Sequence, residues 1–186
     1  DLSGAAATVK EKWGKIDILV HAIAFANRDD LVGRYIDTSR DGFSMAMDIS
    51  AYSLAALCHS FEDLLNDNGS VITMTYYGAQ KMITNYNVMG VAKAALETSV
   101  KYLAYDLGER GIRVNAISAG PIRTLAASGI SGFHKIVNHM AQYSALKRNV
   151  TIEDVGNAAV YLASPLSGGM TGDVMFVDAS YTPPGI

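Results

Sequence analysis

The chain predicts an α/β layer fold with a parallel sheet. Three observations carry this reading. Short apolar or β-branched runs alternate along the sequence with stretches of helical periodicity, which is the pattern of strands joined by helical crossovers. Hydrophobic residues make up 49% and charged residues 18% of the 186 positions, enough apolar material for a core and too little charge for a disordered chain. No repeat, low-complexity run or Pro/Ser-rich linker interrupts the pattern, so a single domain over residues 1–186 is expected.

Each element follows from local chemistry. Ser3 to Trp13 reads as a helix with Ser3 as N-cap and Gly14 as its stop. Ile16 to Ala24 is a mostly apolar run of the kind buried in a parallel sheet. Asp41 to Leu65 reads as one long helix, closed by Asn66-Asp67-Asn68-Gly69. Ser70 to Thr75 is β-branched and predicts a second strand. From Tyr86 to Gly108 the apolar residues Val88, Ala92, Leu96, Val100, Leu103 and Leu107 recur at helical spacing. Gly111 to Ser118 is a third strand, closed by Ala119-Gly120-Pro121. Thr124 to Lys147 is weakly patterned and expected to form a mobile helical lid. Thr151 and Asp154 predict a capping box on a helix running to Ala163, and Asp173 to Asp178 a fourth strand.

Composition excludes several functions. Fifteen basic against 18 acidic residues, a net charge of -3, lacks the electrostatic footprint of a nucleic-acid binder. The single cysteine, Cys58, allows neither an internal disulfide nor a thiolate zinc cluster, fits a reducing compartment, and reads as a small buried hydrophobe. No run approaches the length of a membrane span, and the start at Asp1-Leu2-Ser3 lacks the basic region of a signal peptide. His134 and His139 are poorly spaced for a shared metal, and His21 and His59 are isolated, so the histidines are assigned to structure or surface. Gly168-Gly169-Met170-Thr171-Gly172 precedes a strand and reads as a turn, not a phosphate loop.

The chemistry is expected around Tyr86 and Lys93. Seven residues is almost two helical turns, so both would project from one face, about 10 Å apart along the axis. A phenol is normally neutral and can donate a proton to a developing oxyanion; a nearby ammonium would lower its pKa and could bind cofactor hydroxyls. Tyr76 lies at the carboxyl end of the second strand, Ile23-Ala24-Phe25-Ala26 at that of the first, and Gly120-Pro121-Ile122-Arg123-Thr124 follows the third. In open parallel sheets that edge is where ligands bind.

The stretches Thr75 to Ala79, Asn85 to Lys93, His21 to Ala26 and Arg113 to Ala126 resemble the NADH-dependent enoyl-acyl carrier protein reductase family, within the short-chain dehydrogenase/reductase superfamily. The resemblance implies a Rossmann-like doubly wound parallel sheet. It also implies reduction of the trans-2 double bond of acyl-carrier-protein thioesters by NADH, in fatty-acid biosynthesis, in a cytoplasmic homotetramer. By it, Tyr86 would hydrogen-bond the thioester carbonyl and the enolate, Lys93 would hold the nicotinamide ribose, and Tyr76 would be a second, positional tyrosine. Ile23, Ala24, Gly120, Pro121, Ile122, Thr124 and Ala126 would line NADH. Ala26, Met89, Ile130 and Phe133 would meet the acyl substrate, Ala26 through its backbone and Ala126 alongside them. Tyr77 and Lys81 match the superfamily's Tyr-x3-Lys pair, but Gly78 disfavours a helix there, and Met74-Thr75-Tyr76 lacks the usual Ser; both points favour enoyl over ketone reduction.

The Gly-rich turn that holds a dinucleotide pyrophosphate is not in the sequence. The resemblance places it in a preceding segment of roughly 70 residues with strands 1–3 of the family sheet. The chain is therefore expected to be a C-terminal portion that binds NADH poorly and is inactive alone, with Ile16–Ala24 left as an apolar edge strand. A short-chain reductase acting on ketones or imines and a non-catalytic oligomerising remnant are the alternatives.

Overall fold

A computed structural model describes residues 2–122 and 133–180. Four strands form one sheet in the order β1 (Ile16–His21), β2 (Leu65–Thr75), β3 (Arg113–Ala119) and β4 (Val174–Val177), every pair parallel. The register pairs His21 with Thr73, Thr75 with Ser118 and Ala119 with Val177, so all four strands end along the same edge.

Pleating sends consecutive residues to opposite faces. Leu19, Val71, Val114 and Ala116 face a large core with α1 (Leu2–Trp13), α3 (Ser53–Phe61) and the long α4 (Asn87–Leu107), which contributes Leu96, Val100, Ala104 and Leu107. Their neighbours Ile72 and Ile117 face a smaller core under α6 (Ile152–Ala163), where Leu162 is fully buried. Helices on both faces of a parallel sheet are the expected layers. Two further helices lie near the strand ends: α2 (Arg40–Met47), and α5 (Phe133–Tyr143), whose Met140 is fully buried.

Several boundaries differ from expectation. Helix α1 begins before Ser3, so Ser3 is not its cap; the Ala-rich stretch that follows carries the helix through it. Gly14 does stop the helix, in the left-handed region at φ 72°, with its N–H donating to the Lys10 carbonyl at 3.0 Å. The long helix expected over 41–65 is interrupted by a π turn, Asp48–Tyr52, between α2 and α3. Strand β2 starts at Leu65, before Asn66-Asp67-Asn68-Gly69. That polar stretch is a bulge: Ile16 pairs with Leu65, but Ile18 already pairs with Ser70. Strand β1 is shorter than expected, ending at His21. It is also buried on one face only: Leu19 and His21 are covered, whereas Ile18 and Val20 are 46% and 54% exposed, because α6 packs over β2, β3 and β4.

Candidate active site at the carboxyl ends of the strands

The last residues of β2 organise the site. The Met74 carbonyl accepts a 2.8 Å hydrogen bond from Lys93 Nζ, and Thr75 Oγ1 donates to Glu97 Oε1 at 2.8 Å. Tyr76, the next residue, sets its ring edge-on against Tyr86, with centroids 5.1 Å apart and planes at 75°. Three consecutive residues of one strand end thus hold α4 and the residue that starts it. A T-shaped aromatic pair is a favoured geometry and adds to the burial of both rings.

Tyr86 does not lie in the helix. It occupies the N-cap position of α4 at φ -120°, between Asn85 at φ 61° and Asn87 at φ 22°. Asparagine tolerates the left-handed region better than most residues, which lets the chain turn sharply on each side of the tyrosine. Asn87 Nδ2 donates to the Val32 and Gly33 carbonyls, tying the loop after β1 to the same point. The expectation that Tyr86 and Lys93 share a helix face is corrected accordingly: one precedes the helix, the other sits in its second turn, and both are buried against the end of β2.

Around Tyr86 lies a third apolar cluster, formed with Met89, Ala92, Ala26, Leu31, Met47, Tyr76 and Ile83. Ala26 and Met89, expected from the sequence to meet an acyl chain, are therefore part of the same cluster as Tyr86. Leu31, Met47 and Ile83 also line it and were not expected; they lie in weakly patterned stretches or at one of many scattered methionines.

Burial dominates the electrostatics. It pushes the Tyr86 phenol well above its ordinary value, with Tyr76 and Glu97 adding to the shift. The expected lowering by a nearby ammonium does not occur. Lys93 is only 6% exposed, and desolvation brings its ammonium down to about 8 against the opposing pull of Glu97, one turn further along α4. A neutral phenol that keeps its proton can donate a hydrogen bond to a developing oxyanion.

A buried polar row supports the neighbouring strand end. His21 Nδ1 and Nε2 lie 2.8 Å from Thr73 Oγ1 and Ser53 Oγ, and burial, then the Lys93 charge, lowers its pKa to about 4. Ser50, on the π turn, accepts from Phe25 N–H and donates to the Phe25 carbonyl, both at 2.9 Å. The loop Ala22 to Asn27 is thereby tied to the π turn, with Ile23 49% exposed and Ala24 also exposed. Gly120 ends β3 in a tight space: a Cβ there would stand 3.0 Å from Val150 Cγ2 and 3.1 Å from Asp178 Cα. Pro121 is buried and Ile122 half-buried beside it. Thr124, Ala126 and Ile130 lie outside the described residues, as does the side chain of Phe133. The rejected pair behaves differently: Tyr77 opens a 3-10 turn, Tyr77–Ala79, and Lys81 is exposed.

The family model described as enoyl-(acyl carrier protein) reductase matches residues 1–182. The chain belongs to this family. Among curated members it is 61% identical over 175 residues to enoyl-(acyl-carrier-protein) reductase (NADH) 1 of Rhizobium meliloti, covering 94% of this chain and 64% of that one. With the Rickettsia typhi enoyl-(acyl-carrier-protein) reductase (NADH) it shares 59% identity over 173 residues, covering 93% and 66% respectively. The chain thus spans slightly less than two thirds of the length of these reductases. Among solved structures, the Anaplasma phagocytophilum reductase in complex with NAD superposes with a TM-score of 0.93 at 52% identity, over 97% of this chain and 69% of that one. The Aquifex aeolicus reductase gives 0.95 at 48% identity, over 100% and 72%. Such agreement makes the described sheet part of a Rossmann-type reductase fold.

Proposed function

We propose that the protein carrying this chain is an NADH-dependent enoyl-acyl carrier protein reductase of fatty-acid biosynthesis. The observation that carries the proposal is the buried, neutral Tyr86 phenol set in an apolar cluster at the carboxyl edge of a parallel sheet, at the start of the helix whose second turn carries the buried Lys93. The cluster suits an acyl chain, and the phenol would donate its proton-bearing hydroxyl to the thioester carbonyl, stabilising the enolate oxygen as the double bond is reduced. A water-poor site makes that donation worth several kcal/mol more than it would be in solvent.

Lys93 suits the cofactor. An ammonium carries three protons, one of which is committed to the Met74 carbonyl. The others would hold ribose hydroxyls, with Ile23, Ala24, Gly120, Pro121, Ile122, Thr124 and Ala126 lining the nucleotide. NADH would supply the hydride to the β-carbon. Tyr76 would brace Tyr86, while Ala26, Met89, Ile130 and Phe133 would meet the acyl chain. The exposed Lys81 and the 3-10 turn under Tyr77 favour enoyl over ketone reduction. Residues 1–182 matching one family model also fit a single domain, and a cytoplasmic homotetramer is part of the same proposal.

The test is NADH oxidation with crotonyl thioester by a full-length reductase carrying this chain, compared with Tyr86→Phe. Turnover should fall about a hundredfold in the variant, while the KM for NADH changes little. Unchanged turnover removes Tyr86 from the chemistry.

A further inference from the structure

Two glycines press against the tyrosine seat, and the helical and aromatic contacts above do not account for them. A Cβ on Gly78 would stand 2.5 Å from Tyr86 Cδ1, 2.7 Å from Tyr86 Cε1 and 3.3 Å from Tyr76 Cδ1. Gly78 is not among the residues with positive φ, so its backbone would accept an L side chain. Space alone demands glycine here. The second glycine supports the first: a Cβ on Gly90, in the opening turn of α4, would stand 2.8 Å from the Gly78 carbonyl oxygen and 3.8 Å from Tyr86 Cδ1. The 3-10 turn after β2 therefore lies directly on the start of α4, with the Tyr86 ring against both. Gly108 and Gly156, by contrast, have nothing within 4 Å of their missing Cβ, and of the glycines with crowded Cβ positions Gly78 and Gly90 are the ones that meet Tyr86.

We propose that Gly78 is a positioning residue for Tyr86: the bare α-carbon fixes where the phenol ring lies, and Gly90 holds Gly78 at that distance. Carbon atoms in contact prefer about 3.5–4.0 Å, so a methyl group at position 78 displaces the ring by about 1 Å. The ring has little freedom to yield sideways, because Tyr86 is only 8% exposed and belongs to a buried cluster with Met89 and Ala92, against which Ala26, Leu31, Met47 and Ile83 pack. The hydroxyl at the end of the ring moves with it. A misplacement of about 1 Å in a reacting group costs up to about a hundredfold in rate.

This inference rests on the reductase reading for its kinetic consequence but not for its structural one. In a full-length reductase carrying this chain, Gly78→Ala should lower kcat ten- to a hundredfold and leave the KM for NADH within about threefold. In a Tyr86→Phe background the same change should lower kcat no further, because the hydroxyl it misplaces is already gone. Gly108→Ala, in open space, is the control and should leave kcat unchanged. The stability cycle is read independently of activity: Gly78→Ala should lower Tm when residue 86 is Tyr and not when it is Ala. If Gly78→Ala fails to fold, recovery of the fold in Gly78→Ala/Tyr86→Ala supports the proposal and continued misfolding overturns it. Equal kcat losses with Tyr86 intact and in the Tyr86→Phe background, or Tm losses independent of residue 86, also overturn it. A parent enzyme inactive on crotonyl thioester would instead sink the reductase reading, leaving the stability cycle to decide the role of Gly78.

Discussion

Lys93 has a charge that its surroundings disfavour. Removing an ammonium from water costs far more than one carbonyl hydrogen bond returns, and the Glu97 carboxylate offsets only part of that cost. Its pKa falls from the usual 10.5 to about 8. Between these values the unfolded chain binds the proton that the folded chain releases, so stability contributed by this group rises with pH across that window. Activity has the opposite sign, because the cationic form is the one that would hold ribose hydroxyls. The kcat/KM for NADH should therefore decline above about pH 8 while the urea midpoint holds or increases, measured on the same full-length reductase. A falling midpoint in parallel with activity would mean that unfolding, not Lys93, sets the alkaline limb. Some residues were legible from sequence and others were not, for a physical reason. Tyr86 and Lys93 could be singled out because the stretch Asn85 to Lys93 that holds them carries the family resemblance and follows the strand end at Tyr76. The sign of the Tyr86 shift could not, because spacing says nothing of burial. Nor could Gly78, whose role depends on which atom stands 2.5 Å from a carbon it does not possess. His21 likewise looks isolated along the chain, and its partners Ser53 and Thr73 lie 32 and 52 residues away.

Secondary-structure elements were legible where one local rule governed them. The periodicity of α4 marks its start and end to within a residue, since its apolar stripe is buried along its whole length, against the cluster around Tyr86 at its start and the large core beyond. The capping box of α6 is present as read: Thr151 Oγ1 accepts from the Asp154 N–H at 3.1 Å, and Asp154 Oδ2 accepts from the Thr151 N–H at 3.0 Å. The π turn at Asp48–Tyr52 was not legible, because its apolar spacing differs little from an unbroken helix; its function is visible only in space, where it turns Ser50 toward Phe25 and introduces Ser53, which reaches His21. The bulge in β2 was missed for a related reason: Asn-Asp-Asn-Gly is good turn chemistry, and only pairing of Leu65 with Ile16 makes it part of a strand. The cap gives a clean prediction at this scale. Thr151→Ala should cost about 1 kcal/mol, because an orphan helix N–H loses its acceptor. Arg148→Ala, which removes the exposed ion pair with Asp154 and an exposed hydrogen bond to the Asn149 carbonyl, should cost much less. Chemical denaturation of the two variants checks the order, and equal losses would place the stabilisation in the ion pair.

At the scale of the molecule, coverage of the sheet is uneven. One core joins α1, α3 and α4 to the sheet, whereas on the other face α6 lies over β2, β3 and β4 and leaves β1 bare. Among the described residues β1 pairs only with β2, so its outer row of backbone donors and acceptors lies open beside Ile18 and Val20. An apolar, unprotected edge strand is a template for pairing with another chain. The sequence made the apolar character of this strand plain; which side is covered depends on where α6 sits, roughly 130 residues further along the chain. Prepared by itself, the 186-residue chain should self-associate at micromolar concentration. Ile18→Thr/Val20→Thr should reduce that association and change the urea midpoint little, since neither side chain is part of a buried cluster. Light scattering and sedimentation velocity on both forms decide the matter. Equal association of the two would move the sticky surface elsewhere, and a large loss of stability would mean that these side chains are covered in solution, with β1 no longer an open edge.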